Sequence, residues 1–444
     1  MDQHLDLPTD LTAERFGPDD LTDDAGALLP RVRGFGEAVG RAFLEGRGSD
    51  ERHRRWVEHL VADRAVLRGV WEADPALGPG TATAAIPVAT FTSFDKTLAV
   101  GDGRVLDLHM ITDVTVSPAH RRRGLTRRLM TADLADAAAR GLPLAALTVS
   151  EGSIYGRFGF GCATTLHQVD VDTGPRFALR ADVASGLGDD PGRFAVVEPL
   201  DAWPAVQQVF AAHHAATRGS VERPQFYEPM LSGAFHHGEN GPDRTLRAVV
   251  HLDATGAPDG YALYRPLGKV DGVHALEVTD LIAPEPTVRL RLWRFLAEMD
   301  LVRLLRFPRM RVDDALAWAL VEPRAVRTAG SSDMLWVRVL DVVAALEARP
   351  WYADGDVVLE VEDPLDHASG RWRLAVEDGV ARVTRTDDPA GVRMTADTLG
   401  ALYLGGVEVA TLHAAGRLPG VAEAVRCLAA LADGGPAPYC STGF

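Results

Sequence analysis

The sequence predicts an α/β (α+β) protein that is built from mixed β-sheets covered by helices and divided into two or three domains. Its 444 residues are too many for one compact core, because domains usually hold roughly 100–200 residues. Its composition, 46% hydrophobic and 24% charged, is that of a folded globular chain. Between His109 and Val149 a strand, a loop, a helix and a second strand follow one another, which is typical of parallel or mixed sheets.

The first predicted unit, residues 1–167, contains the clearest patterns. His109 to Val116 is a predicted strand. Gly124 to Arg140 is a predicted helix because its apolar residues recur on shared faces, and Gly141 and Pro143 end it. Leu144 to Val149 is the next strand. Apolar spacing also predicts helices at Gly34–Leu44 and Arg52–Arg68 and strands at Val70–Trp71 and Ala84–Phe94.

A second unit is predicted over residues 168–330 and a third over residues 331–444, with the polar stretch Arg324–Ser332 as a linker. The second unit repeats the order of strand then helix without a basic loop between them. An internal duplication is one interpretation, which residue-level repetition is too weak to establish. The predicted elements of the second unit are strands at Leu246–Leu252, Gly260–Arg265 and His274–Ile282 and a helix at Val288–Asp300. Those of the third are strands at Val357–Val361, Gly370–Val376 and Val380–Arg385 and helices at Leu340–Glu347, Thr395–Leu404 and Val421–Ala432.

Charge and cysteine content bear on partners and compartment. The net charge of −16 argues against nucleic acid and anionic membranes as partners, and it fits either a cationic small-molecule substrate or a generally acidic surface. Cys162, Cys427 and Cys440 form neither a disulfide framework nor a CxxC pattern, so we expect a cytoplasmic protein. Met1–His4 lacks the features of a signal peptide, and the chain has no apolar run long enough to span a membrane. The histidines show no HxxxH or HExxH pattern, so no metal is expected.

The most informative stretch is the basic loop between the first strand and its helix, Val114-Thr115-Val116-Ser117-Pro118-Ala119-His120-Arg121-Arg122-Arg123-Gly124-Leu125-Thr126. The exposed N–H groups at a helix start, together with the helix dipole, form an anion site. Gly124 lets the backbone approach a phosphate closely, and the three arginines supply charge for a pyrophosphate. The loop is neither GxGxxG nor GxxxxGK[ST], which disfavours dinucleotide and P-loop folds. A solvated basic turn is the alternative.

These residues carry a family resemblance. Arg121-x-x-Gly124-x-Thr126 resembles the [Q/R]-x-x-G-x-[G/A] signature of the GNAT superfamily of N-acetyltransferases. More specifically, RRRGLTRRLM followed by SEGSIYGRFGFG resembles the Eis-like (enhanced intracellular survival) branch. The resemblance extends over the whole chain. It implies an N-terminal GNAT domain, a degenerate second GNAT-like domain and a C-terminal sterol-carrier-like domain.

The resemblance also implies an activity and an assembly. The donor would be acetyl-CoA, and the acceptor a primary amine on a cationic small molecule of the aminoglycoside, polyamine or lysine type. The protein would form a homohexamer. Two residues depart from the family pattern. Thr126 replaces a smaller Gly or Ala, and Asp113 stands where relatives tend to carry an aromatic residue of the substrate pocket.

An acetyl-CoA site follows from the same resemblance. The backbone of Val114, Thr115 and Val116 is implied to pair with the pantetheine arm. Ser150 and Glu151 would line the cofactor groove, and Arg157 would help to anchor the cofactor. The residues implied to surround the pyrophosphate are Arg121, Arg122, Arg123, Gly124, Leu125, Thr126 and Arg127.

Tyr155 is the predicted general acid. Coenzyme A leaves as a thiolate, and a phenol with a pKa of about 10 can hydrogen-bond and protonate a thiolate, whose thiol has a pKa of about 8.5, in a dry site. The alternative is a structural tyrosine in a Gly-rich turn. By resemblance, the terminal carboxylate of Phe444 enters the active site and accepts the substrate proton, with a frayed tail as the alternative. Asp113 and Trp56 are predicted to belong to the amine pocket, although core packing competes for Trp56.

Two other functions stay open at this point. The C-terminal unit could make the protein a lipid-binding carrier. The fold could also bind acetyl-CoA without turnover, which the presence of both Tyr155 and the Arg121–Gly124 loop argues against.

Overall fold

The computed structural model describes residues 5–75, 84–188, 191–236 and 241–444, so the prediction about Met1–His4 lies outside the described residues. Within them the strands are β1 (Leu11–Phe16), β2 (Val66–Glu72), β3 (Ala89–Gly101), β4 (Arg104–Val116), β5 (Leu144–Leu147), β6 (Gly161–Cys162), β7 (Thr165–Asp172), β8 (Arg193–Val197), β9 (Arg247–Leu252), β10 (Pro258–Val270), β11 (Val273–Ile282), β12 (Val302–Met310), β13 (Val326–Asp333), β14 (Trp336–Val339), β15 (Gly355–Glu362), β16 (Gly370–Glu377), β17 (Val380–Arg385) and β18 (Val392–Thr395). The helices are α1 (Pro30–Ala42), α2 (Asp50–Ala62), α3 (Leu125–Ala139), α4 (Ala181–Gly188), α5 (Pro199–Ala216), α6 (Tyr227–Leu231), α7 (Pro286–Ala297), α8 (Leu316–Ala319), α9 (Val342–Ala348), α10 (Ala396–Tyr403), α11 (Val409–Ala414) and α12 (Ala422–Ala432). None of these helices is long and apolar enough to cross a membrane.

The first sheet is mixed, with the strand order β1-β2-β3-β4-β5-β14-β6. Its neighbours are antiparallel except β4 and β5, which are parallel and are joined by α3. The face of α3 that carries Leu125, Leu129 and Leu134 is buried in a core shared with Ala145 and Leu147 of β5. The predicted order of strand, basic loop, helix and strand is therefore present as β4, α3 and β5.

The second sheet has the strand order β8-β9-β10-β11-β12-β7-β13 and repeats the plan of the first. Only β11 and β12 are parallel, and α7 joins them as α3 joins β4 and β5. Each sheet thus has three antiparallel pairs, one parallel pair and two antiparallel pairs in the same order. This repetition of topology supports the internal duplication that residue-level comparison leaves open.

The two sheets exchange strands at their junction. The chain passes from β6 in the first sheet to β7 in the second, and it returns from β13 in the second sheet to β14 in the first. The prediction of a linker at Arg324–Ser332 is wrong. These residues form the end of a short 3-10 helix and most of β13, which pairs with β7 along its length. Most of its side chains are exposed, so the strand lacks an apolar pattern. The predicted domain limits at 167/168 and 330/331 fall inside the strands β7 and β13. Where each domain begins and ends stays a prediction.

The helix predicted at Arg52–Arg68 is too long. It ends at Ala62, and Arg64 has a φ of 52°, a left-handed conformation that stops a helix. The chain then enters β2 at Val66.

The C-terminal part contains a four-stranded mixed sheet of order β17-β16-β15-β18, in which β15 and β18 are parallel. Its apolar face packs under α9, α10 and α12, and its core includes Leu359, Trp372, Leu399 and Leu428. That core continues into the first domain through Val337 of β14. The fold is therefore α+β, with two mixed-sheet domains of repeated topology and a smaller C-terminal domain.

Candidate active site

A cleft opens where β4 and β5 separate. The two strands pair from Leu108–Leu144 to Ile111–Leu147, where β5 ends, while β4 continues to Val116 paired only with β3. A β-bulge places Asp113 and Val114 opposite a single residue of β3, and Asp113 has a φ of 52°. The edge of β4 that faces β5 is therefore open from Thr112 onward. Its main-chain N–H and C=O groups can pair with an extended ligand that carries amides.

The basic loop lies at the start of α3, beyond the end of β4. Gly124 is the residue before the helix and has a φ of 74°, a conformation that glycine adopts without strain. Arg123 is neutralised by Asp10, whose two carboxylate oxygens accept bonds of 2.6 and 2.8 Å from its guanidinium. Arg121, Arg122 and Arg127 are exposed and form no ion pair with any residue in the described ranges. The helix start therefore combines free N–H groups with three uncompensated cations, which suits a pyrophosphate.

A cavity of about 200 Å³ lies at the point where β4 and β5 separate. It brings together residues from distant parts of the sequence. Its lining residues are Phe43, Ile111, Thr112, Asp113, Val114, Leu147, Thr148, Val149, Ser150, Tyr155 and Phe444. Asp113, Val114, Ser150, Tyr155 and Phe444, all predicted site residues, thus meet in one place.

Tyr155 is held by a rigid turn. Its main-chain oxygen accepts hydrogen bonds from the N–H of Phe158 at 3.0 Å and of Phe160 at 3.3 Å. Burial raises the pKa of the Tyr155 phenol, and the negative charge of Glu151 adds to this rise. The phenol is therefore protonated at neutral pH. Its hydroxyl makes no hydrogen bond to another residue that the structure describes, which leaves it available to a ligand.

Asp113 is a carboxyl group in an unusual environment. Burial raises its pKa to about 6, against a hydrogen bond of 3.1 Å from Thr92 that lowers it, and the charge of Glu45 raises it further. A carboxyl with this pKa is partly protonated near neutral pH and becomes fully ionised beside a cation.

Phe444 is docked in the cavity. The hydroxyl of Thr148 donates a hydrogen bond to its main-chain oxygen. The preceding residues from Pro438 to Thr442 are buried, so the tail is not frayed. Sequence reasoning missed Thr148 and Phe43. Thr148 follows β5 immediately, which is a positional signal, whereas Phe43 is recognisable only as an aromatic residue left half-exposed after α1.

Three predicted site residues lie outside the cavity, the open edge of β4 and the basic loop. Trp56 does not line this cavity. Its ring stacks on that of Phe35, with 6.2 Å between the ring centroids, and it lines another cavity of about 110 Å³ between α1 and α2. Glu151 and Arg157 are exposed on the Tyr155 turn, where the Glu151 carboxylate accepts from Ser153 at 3.4 Å and Arg157 donates to the Ser153 carbonyl at 3.5 Å. Within the ranges that the structure describes, no group of His, Cys, Asp and Glu side chains is arranged to hold a metal ion.

Comparison with known families defines the class. A family described as "Acetyltransferase (GNAT) domain" matches residues 35–163, a second one of the same description matches residues 219–339, and a "Sterol carrier protein domain" matches residues 342–441. Each acetyltransferase match covers the parallel strand pair of one sheet and the helix that joins the pair, β4, α3 and β5 in the first match and β11, α7 and β12 in the second. The protein is therefore a GNAT-superfamily acetyltransferase, and that class implies acetyl-CoA as the acetyl donor.

Individual relatives narrow the class to one family. The chain is 37% identical to the N-acetyltransferase Eis of Mycobacterium bovis over 350 residues, which cover 77% of this chain and 81% of that protein. It is 36% identical to an uncharacterized N-acetyltransferase of Streptomyces griseus over 369 residues, 81% of this chain and 86% of that one. The crystal structure of Eis1 from Mycobacterium abscessus superimposes with a TM-score of 0.78 at 27% identity, covering 98% of this chain and 100% of that chain. The chain belongs to the Eis-like family of N-acetyltransferases.

Proposed function

We propose that this enzyme transfers the acetyl group of acetyl-CoA to a primary amine of a cationic small molecule, such as an aminoglycoside, a polyamine or a lysine-type amine. The observation that carries this proposal is the single cavity lined by Tyr155, Asp113 and Phe444 at the point where β4 and β5 separate. It offers a proton donor and carboxyl groups around one reaction centre. The net charge of −16 also favours a cationic acceptor.

The donor site follows the cleft from the cavity to α3. The open edge of β4 from Val114 to Val116 would pair with the pantetheine amides, and Ser150 would face it across the cleft. The unpaired side chains of Arg121, Arg122 and Arg127 would bind the pyrophosphate with the free N–H groups at the start of α3. Arg123 forms an ion pair with Asp10, so it would contribute less to pyrophosphate binding than the other arginines of the loop. Gly124, Leu125 and Thr126 would contribute main-chain groups, and the exposed Glu151 and Arg157 would lie at the cleft rim.

Acetyl-CoA supplies a thioester carbonyl that an uncharged amine can attack. The acceptor amine arrives as an ammonium ion, so a group in the cavity must hold the cation and take its proton. The carboxylate of Phe444 would do so directly or through water. An α-carboxyl pKa of roughly 3.3–3.7 makes it a weak base at neutral pH, although burial raises that value. Asp113, with a pKa of about 6, lies in the same cavity and would share the cation.

Tyr155 would act on the leaving group. Its raised pKa keeps the phenol protonated, so it donates a hydrogen bond to the sulfur as negative charge develops there and then supplies a proton. We expect Tyr155→Phe to lower the turnover number by about 10²–10⁴ in a thiol-release assay with acetyl-CoA and a panel of amines. The affinity for acetyl-CoA should change little, because the ring and the turn are kept.

Tyr264→Phe is the matched control, since Tyr264 lies on β10 in the second domain and its hydroxyl has no hydrogen-bond partner among the described residues. Wild-type turnover in a folded Tyr155→Phe enzyme would return Tyr155 to a structural role. The carrier alternative receives no comparable support. A cavity of about 630 Å³ on the C-terminal domain is lined by charged side chains, among them Glu360, Asp363 and Arg393, which do not suit a lipid.

A further inference from the structure

The second domain has a cleft that corresponds to the acetyl-CoA cleft of the first. Its parallel strands β11 and β12 pair only from His274–Val302 to Glu277–Arg306, after which β11 continues to Ile282 and β12 to Met310. The pairing of β10 with β11 also shifts register, between Leu263 and Tyr264, as the pairing of β3 with β4 does near Asp113. The same divergence of strands that opens the first cleft is therefore built into the second.

The C-terminal tail packs where these two strands separate, beside a cavity of about 520 Å³ that stays open at the start of α7. Tyr439 is 1% exposed, and its hydroxyl donates a hydrogen bond of 2.8 Å to the carbonyl of Arg309 on β12. Its ring lies in the same apolar cluster as Ile282, the last residue of β11. Its main-chain N–H donates to the carbonyl of Arg218 at 2.8 Å. An aromatic side chain of the tail thus lies at the point where β11 and β12 separate.

The second domain also holds the tail between Tyr439 and the active site. The guanidinium of Arg309 donates to the carbonyl of Ser441 at 3.4 Å, and the hydroxyl of Thr442 donates to the carbonyl of Val221 at 2.9 Å. The N–H of Gly443 donates to the Tyr227 hydroxyl at 2.7 Å. The next residue is Phe444, which is bound by Thr148 of the first domain. The contacts therefore continue to the residue that precedes the active site.

We infer that the second GNAT-like domain is a clamp for the C-terminal tail, with Tyr227 and Tyr439 as positioning residues that place Phe444 beside Thr148. This inference rests on the proposed role of the Phe444 carboxylate. The second domain has no basic loop before α7 to bind a pyrophosphate. The inference gives this domain a function other than cofactor binding.

The test uses single hydroxyl deletions in the full-length enzyme. Tyr227→Phe removes the acceptor of the Gly443 N–H, and Tyr439→Phe removes the donor to Arg309, while both rings stay in place. Each should lower the turnover number with a polyamine about two- to tenfold, the value of one buried hydrogen bond. The affinity for acetyl-CoA, measured by calorimetry, should not change. Tyr264→Phe in the same domain is again the control.

A chain extended by a few residues after Phe444 separates this inference from the proposed function. The extension removes the terminal carboxylate, so Tyr227→Phe should lower turnover in the native-length enzyme and cause no further loss in the extended one. If the extension itself leaves turnover unchanged, the role of the carboxylate fails. If the extension lowers turnover while Tyr227→Phe and Tyr439→Phe do not, the clamp fails alone.

Two more outcomes decide the point. An equal loss from Tyr227→Phe in both backgrounds would show that Tyr227 acts independently of the tail and would overturn the clamp. Tyr439→Ala removes the ring as well as the hydroxyl. If this variant melts cooperatively, it should lose more turnover than Tyr439→Phe, and wild-type turnover would refute the inference.

Discussion

Asp113→Asn should make the protein more stable and less able to bind a cationic substrate. Asparagine matches aspartate in shape and tolerates the positive φ of 52° at this position, so the backbone of the bulge is kept. What changes is the charge. Burial raises the pKa of Asp113 from 3.8 to about 6, which means that the folded protein resists ionisation of this group while the unfolded chain does not.

The size and sign of the effect follow from this difference. Between pH 4 and pH 6 the unfolded chain releases the Asp113 proton and the folded protein keeps it, so stability falls as pH rises and is constant above this window. A rise from 3.8 to about 6 is worth about 3 kcal/mol, at about 1.4 kcal/mol for each pKa unit. This is an upper figure, because Asp113 lines a cavity and keeps partial contact with solvent.

The assay is urea unfolding of the wild type and of Asp113→Asn at pH values from 4 to 8. The difference in unfolding free energy should grow by up to about 3 kcal/mol across the window and then stay constant. Asp107→Asn, an exposed carboxylate on the same strand, is the control and should give parallel curves. If the difference in unfolding free energy between wild type and Asp113→Asn is the same at every pH, the folded protein does not raise the pKa of Asp113. A saturating polyamine should stabilise the wild type more than the variant at pH 7, since it pairs with the ionised group.

Two other parts of the first domain give quantitative expectations. Replacing Arg122 by Glu together with Gly124 by Pro should weaken acetyl-CoA binding more than tenfold in calorimetry. One change reverses a charge that is proposed to bind phosphate, and the other obstructs the helix start. Unchanged affinity in a folded variant would eliminate this site. Burial alone would lower the pKa of His109, but the charges and hydrogen bonds of Asp133 and Asp95 raise it from 6.5 to about 9. The stability that His109 contributes is therefore complete below pH 6.5 and lost as pH rises through 9, and His109→Gln should remove that dependence from denaturant unfolding curves while costing roughly 3–5 kcal/mol at pH 6.

The parts of the fold that were predictable are those with local signals. β4, the basic loop and α3 follow one another within residues 104–139, and apolar periodicity, Gly124 and Gly141 define them without reference to the rest of the chain. The strand β13 was not predictable in this way. Its outward side chains leave it polar, and only pairing with the distant β7 makes it a strand. Arg64 similarly stops α2 because it adopts a left-handed backbone conformation, which an arginine in the sequence does not indicate.

The site divides along the same line. Tyr155 and the Arg121–Gly124 loop could be found because their motifs are contiguous, although their roles stay proposals. The contact of Thr148 with Phe444 joins residues almost three hundred positions apart and has no local signature. Trp56 packs on Phe35, in agreement with the core-packing alternative, and its place in the sequence does not reveal this contact.

The C-terminal domain reaches the site from two sides, and this gives it a structural reason to be present without lipid binding. It provides the tail that ends at Phe444, and it also supports the turn that carries Tyr155. Arg338 of β14 lies under this turn, where a Cβ atom at Gly159 would come within 2.5 Å of its Nη1. The same guanidinium donates to Asp363 of the C-terminal domain at 2.5 Å, and both side chains are fully buried. Removing one member of such a pair leaves a buried charge, at a cost of roughly 3–5 kcal/mol, so the turn and the C-terminal domain are held in one arrangement. The proposed proton donor and the proposed proton acceptor are thus fixed relative to each other through the same domain.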